Sequence, residues 1–164
     1  RFCVSSSMKF KVSRDLGAPQ ALVWTHFMDF ARFETDMRRQ GATLARVGDW
    51  TEATKDVEWR GAVTLGGKSN PLAAKITQLV APRAYTIDSQ IGGMVCHYEI
   101  SLVSLSETVT RVALVLNLSA KTETARIFLM TLKLTRGLVL QRLEQMLVRQ
   151  GSAAETEWQH RKGG

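Results

Sequence analysis

The segment Thr122–Gln150 reads TETARIFLMTLKLTRGLVLQRLEQMLVRQ, and the rest of the chain has to accommodate it. Its spacing predicts a single helix of about eight turns, roughly 40 Å long at 1.5 Å per residue. Phe128, Leu132, Thr135, Val139, Leu143 and Met146 recur at steps of three and four and make one stripe. A second stripe, Ile127, Met130, Leu134 and Leu138, lies over a right angle away and turns polar at Gln141 and Gln145. Lys133, Arg136 and Glu144 take the remaining arc. The first half of the helix thus has two apolar sides and the second half one. Such a helix is expected to close a core at its far end and to border something hollow or adhesive at its near end. Gly137, midway, costs about 1 kcal/mol relative to alanine and fits either close packing or a bend.

Upstream of this helix the period is two. Lys9–Arg14 alternates as a short half-buried strand, broken at Gly17-Ala18-Pro19, with Pro19 suited to a helix start. Gln20–Asp29 and Phe30–Gln40 read as two short helices, the second ended by Gly41. Strands follow at Thr43–Trp50, Val57–Leu65, Leu72–Val80, Tyr85–Ile91, Met94–Leu102 and Val112–Leu118, with a polar turn around Thr51–Lys55. Gly66-Gly67 and Gly92-Gly93 read as hairpin turns. Six strands joined by short turns indicate an antiparallel meander with one buried face, which must close or be covered. The long helix is the one element able to cover it. Residues 1–7 show no pattern and are expected to be a disordered extension or tag remnant. Residues 152–164 are polar, end in Gly-Gly and are expected to be a disordered tail, leaving 8–151 as the single domain.

Composition bounds the function classes. The 164 residues suffice for one domain burying about 70% of its unfolded surface. No apolar run approaches the roughly 20 residues of a membrane span and no signal-peptide core opens the chain, so a cytoplasmic protein is expected. The two cysteines, Cys3 and Cys96, are read as free thiols. The net charge of +7 comes from scattered Lys and Arg, without the basic, aromatic-interleaved stripe that stacks bases. Nucleic acid is therefore an unexpected partner, while peripheral contact with an anionic membrane stays open. The oligomeric state is not legible.

Two stretches carry a resemblance. Ala18-Pro19-Gln20-Ala21-Leu22-Val23-Trp24 with Asp29-Phe30-Ala31-Arg32-Phe33, and Lys75-Ile76-Thr77-Gln78-Leu79-Val80-Ala81-Pro82-Arg83-Ala84-Tyr85, resemble the START-like, Bet v 1-like (SRPBCC) superfamily. The similarity is to its bacterial polyketide cyclase/dehydratase-like and lipid-transport-like branch, and it runs from Met8 to about Gln150. It implies an α+β helix-grip fold: a curved antiparallel sheet of six or seven strands around a long C-terminal helix, with two short helices after strand 1. It also implies an apolar cavity beneath that helix for a hydrophobic small molecule. The matching residues are structural in kind, and fold does not fix function.

Alternation places Tyr98 and Trp59 on the inner face, as ligand contacts or as core. Met94, Leu116 and Gln78 are expected to line the same space, with Gln78 and Tyr98 orienting a ligand. Met130 and Leu134 join this set if the second helical stripe lines the cavity. The alternatives are that the stripe packs under the small helices or forms a dimer or membrane patch. Catalytic candidates are Tyr98 and His26, the latter on the helix bordering the cavity mouth; His97 falls on the outer parity beside Glu99. Cys96 and His97 are strand neighbours that point to opposite faces, so no metal site is expected. With no P-loop, GxGxxG or GxSxG, no cofactor is implied either. The favoured reading is a binding or carrier protein for a lipid, isoprenoid or aromatic compound. The alternatives are a polyketide cyclase/dehydratase-like enzyme using the same cavity, and a basic module for anionic membrane, RNA or protein.

Overall fold

A computed structural model describes residues 7–48, 55–65 and 67–163. Strand β1 (Ser7–Leu16) leads into helices α1 (Gln20–Phe27) and α2 (Phe30–Arg39). Strands β2 (Thr43–Val47), β3 (Glu58–Leu65), β4 (Lys68–Val80), β5 (Ala84–Ile91), β6 (Met94–Ser106) and β7 (Val109–Ala120) follow. Two helices, α3 (Glu123–Leu134) and α4 (Arg136–Gly163), end the chain. The expected end of the second strand at Asp49 and Trp50, the turn over 51–54, Gly66 and the first six residues lie outside the described residues. Ser7, assigned to the extension, is in β1 and pairs with Ser119.

All seven strands form one antiparallel sheet in the order β1-β7-β6-β5-β4-β3-β2. Sequential hairpins explain this order, except that β1 returns to pair with β7 along its whole length. Met8, Phe10, Val12 and Leu16 of β1 and Val112, Leu114 and Leu118 of β7 all point to the buried side, as the alternation requires. The helices cover that side, and the α+β helix-grip architecture is the result. At β2 the strands come unusually close: a Cβ on Gly61 would lie 1.9 Å from the Thr43 carbonyl oxygen.

Three readings need correcting. The terminal rod is two helices. Thr135 leaves helical geometry at φ −111° and ψ 28°, and its N–H and hydroxyl both turn back onto Thr131 O. A threonine hydroxyl bonded to the preceding turn competes with the helical ladder, and exposed Gly137 two residues on adds no side chain to resist the change.

Nor are residues 152–163 a disordered tail, because α4 runs unbroken to Gly163. Leu147, Gly151 and Ala154 are buried and Trp158 packs on the same core. Their spacing of four, three and four is a helical stripe, carried by small residues that a hydropathy reading passes over. The Leu16 side chain lies where a Gly151 Cβ would be. Glu155 accepts the Gly17 N–H at 2.7 Å, so this last stretch is clamped to the β1–α1 corner.

The third correction is local. The β4–β5 register shifts between Ile76 and Gln78. One extra residue in a strand reverses the parity that follows it. Leu79 therefore takes the inner position opposite Tyr85, and Gln78 faces solvent.

The core divides into two parts. One part gathers β3–β7, α1, α2 and the far half of α4 around Trp59, Ile76, Tyr85, Ile100 and Leu147. The other lies under α3, around Phe10, Met94, Leu118 and Leu129. Ile91, Leu116, Leu140 and Leu143 border both parts and are only partly buried.

Candidate functional site

Beside Ile91, on the seam between the two parts of the core, a pocket of about 330 Å³ opens at the edge of the part under α3. Its walls are the tips of two hairpins and one face of α3. Leu65 and Asn70 come from the β3–β4 end, Ile91, Gly93 and Met94 from the β5–β6 end, and Ala125, Phe128 and Thr131 from the helix. The rim is tied shut on one side. Thr122 caps α3 by accepting the Ala125 N–H at 3.2 Å, and Lys121 N–H donates to Gly93 O at 2.8 Å. A Cβ at Gly93 would stand 2.3 Å from the Thr122 hydroxyl, so the absence of a side chain lets turn and cap meet. The walls are mainly apolar, with Lys68, Asn70 and three threonines, Thr122, Thr124 and Thr131, among the lining residues. A wider groove of about 640 Å³ along Ser152–Gly163 is bounded by α4 alone and encloses nothing.

Deeper in, the polar groups are few. The Tyr85 hydroxyl donates to Phe27 O at 3.0 Å, and the rings of Tyr85 and Tyr98 lie 6.4 Å apart. Burial pushes both phenols well above the usual range. At neutral pH both are neutral donors. Tyr98 keeps some accessible surface beside Leu116, its cross-strand partner.

A buried carboxylate lies at the other end. Glu34 of α2 accepts the Trp59 indole N–H at 2.7 Å and the Arg46 guanidinium at 2.5 Å. Burial works to raise its pKa, but these hydrogen bonds and the charges of Arg46 and Arg38 outweigh it and hold the group below its ordinary value. Glu34 sits on a helix and was not among the candidates read from the sequence. The signal was present: Glu34 follows Phe30 by four and precedes Met37 by three, on the same face.

Not all the expected residues meet here. Met94 lines the pocket, Leu116 borders both parts of the core, and Tyr98, its cross-strand partner, packs against the first part. Trp59 is fully buried, its ring 5.3 Å from Phe30 and its N–H held by Glu34, so it is core and no wall for a ligand. Gln78 is in β4 but on the solvent face of the sheet. Met130 is 62% exposed and Leu134 87%, so neither reaches the interior. His26 contacts Glu157 of α4 at 2.8 Å and joins α1 to the end of the chain.

His97 is on the outer face, between Asp88 at 2.5 Å and Glu99 at 3.3 Å, with Thr77 donating to Asp88. Partial burial lowers its pKa, and the two carboxylates more than reverse this, so the net direction is upward. Ile91, Phe128, Ala125 and Leu65 were not singled out from sequence, since hairpin tips and a helix meet there only in three dimensions. Among the described residues no three His, Cys, Asp or Glu side chains come together to hold a metal. No described helix is long and apolar enough to cross a membrane.

No protein-family model matches the sequence, and none of the curated proteins matches it. Solved structures do match in shape. A Thermus thermophilus protein superimposes with a TM-score of 0.66 at 17% identity, over 92% of this chain and 99% of its own. An aromatase/cyclase from a Streptomyces species gives 0.65 at 15%, over 91% and 94%. Norcoclaurine synthase from Thalictrum flavum, in complex with dopamine and hydroxybenzaldehyde, gives 0.65 at 12%, over 93% and 88%. These neighbours share the fold, a curved antiparallel sheet gripping a C-terminal helix, which is the architecture that the resemblance read from the sequence implied. At such identities the likeness is one of fold.

Proposed function

We propose that this protein binds an apolar small molecule, a lipid, isoprenoid or aromatic compound, in the pocket under α3 and along the seam behind it. The observation that carries the reading is the partial accessibility of Ile91, Leu116, Leu140 and Leu143. Inward-facing aliphatic side chains are ordinarily packed to crystal-like density, yet these four stay partly accessible, and Ile91 among them also lines the opening of about 330 Å³. That is at the small end of the range for ligand sites. Affinity comes from apolar surface removed from water at about 25 cal/mol per Å², and the Tyr98 phenol supplies a donor for orientation.

The fold neighbours include enzymes, and the same cavity could host cyclase or dehydratase chemistry. Two features favour binding instead. Tyr85 and Tyr98 stay protonated and cannot act as bases near neutral pH, and His26 is engaged with Glu157 outside the pocket. Titration with the apolar fluorophore 1-aminoanthracene tests the reading. Saturable binding at one site is expected, with Leu65→Trp, which fills the pocket from the strand side, weakening it at least tenfold while the melting temperature is kept. Absent binding, or binding untouched by Leu65→Trp, would refute it.

A further inference from the structure

The second stripe of the terminal helices is bare. Ile127 and Met130 are each 62% exposed, Leu134 87% and Leu138 50%, in a row along α3 and the first turn of α4. None of the four is in either part of the core. Together they make an apolar patch of several hundred Å², the size that on a monomer is often functional.

Charge decides what fits it. Lys121 to Arg142 contains five basic residues and one acid: Lys121, Arg126, Lys133, Arg136 and Arg142 against Glu123. Glu123 is already paired with Arg126 at 3.0 Å. Arg136 turns inward, over the Phe10 ring and onto Lys9 O. Lys121, Lys133 and Arg142 are exposed around the stripe, and no described ion pair engages them. An apolar face rimmed by Lys and Arg is the pattern of a helix lying in the plane of a bilayer interface. Its side chains enter the acyl boundary while the cations reach the headgroups.

We infer that α3 and the start of α4 dock on an anionic lipid membrane. Ile127 belongs both to the stripe and to the pocket wall, so docking would bring the pocket mouth against the bilayer. The docking surface stands without the ligand reading, and the two fail separately.

Ligand-free full-length protein is sedimented with phosphatidylcholine vesicles, with and without one-third phosphatidylglycerol. Binding is expected to be at least tenfold stronger to the anionic vesicles and to weaken in high salt. Leu134→Lys, at a position too exposed to unsettle the fold, should reduce it at least tenfold, and Lys133→Glu should reduce it as well. Val103→Lys, on an exposed strand residue elsewhere, should leave it unchanged, and 1-aminoanthracene titration should not respond to Leu134→Lys. Equal binding to both vesicle types, or indifference to Leu134→Lys, would overturn the inference. So would a concentration-dependent dimer that Leu134→Lys dissolves, which would make the stripe a protein interface.

Discussion

Glu34 shows how one side chain organises the end of the core away from the pocket. Its carboxylate joins α2 to β2 through Arg46 and to β3 through Trp59. Glu34→Gln removes the charge and turns one acceptor into a donor facing donors, an effect of about 1–3 kcal/mol for a buried group. Because the folded pKa is lowered, the carboxylate's contribution is complete above the unfolded value near 4.5 and fades as the pH falls through the folded one. Thermal melts from pH 7 to pH 3 should therefore show the wild type losing stability on acidification more steeply than Glu34→Gln. Parallel curves would refute that account.

Gly61 is a position of a different kind, since a Cβ there meets the Thr43 backbone and no flexible side chain can give way. Gly61→Ala should destabilise by about 1–3 kcal/mol and separate β2 from β3, with faster amide exchange at Leu44 as the readout. At this scale the sequence told much about Tyr98, whose parity alone set it inward. It told nothing about Gln78, because a bulge leaves no mark in a hydropathy pattern while it reverses everything beyond it.

Between Thr122 and Gly163 the unit is the helix, and here the sequence was half legible. The 3.6-residue period showed that Thr122–Gln150 is helical and which stripe is apolar. The break at Thr135 depends on a hydroxyl bonding its own backbone, a choice that periodicity does not record. The continuation to Gly163 was hidden by composition, since Gly151 and Ala154 are buried for their smallness against Leu16 and α1. Truncation after Gly151 separates a disordered tail from a docked helix. The structure requires a loss of about 2 kcal/mol or more in denaturant unfolding, as Ala154 and Trp158 leave the core. An unchanged midpoint would contradict the packing described for α4.

The whole molecule is a sheet closed along β1–β7 and open at β2, with two helices sharing the cover between them. That architecture was readable because a six-strand meander needs covering and only one segment is long enough to cover it. The position of the opening was not, since it depends on where two hairpin tips end relative to α3. The two packed regions meet along Ile91, Leu116, Leu140 and Leu143, and the proposed guest would sit beside that seam.

Apolar recesses in proteins take up xenon, so crystals pressurised with xenon give the most direct measurement. The account predicts xenon among Ile91, Met94, Leu116 and Phe128. A seam closed by side chains, with no xenon between the sheet and α3, would contradict it.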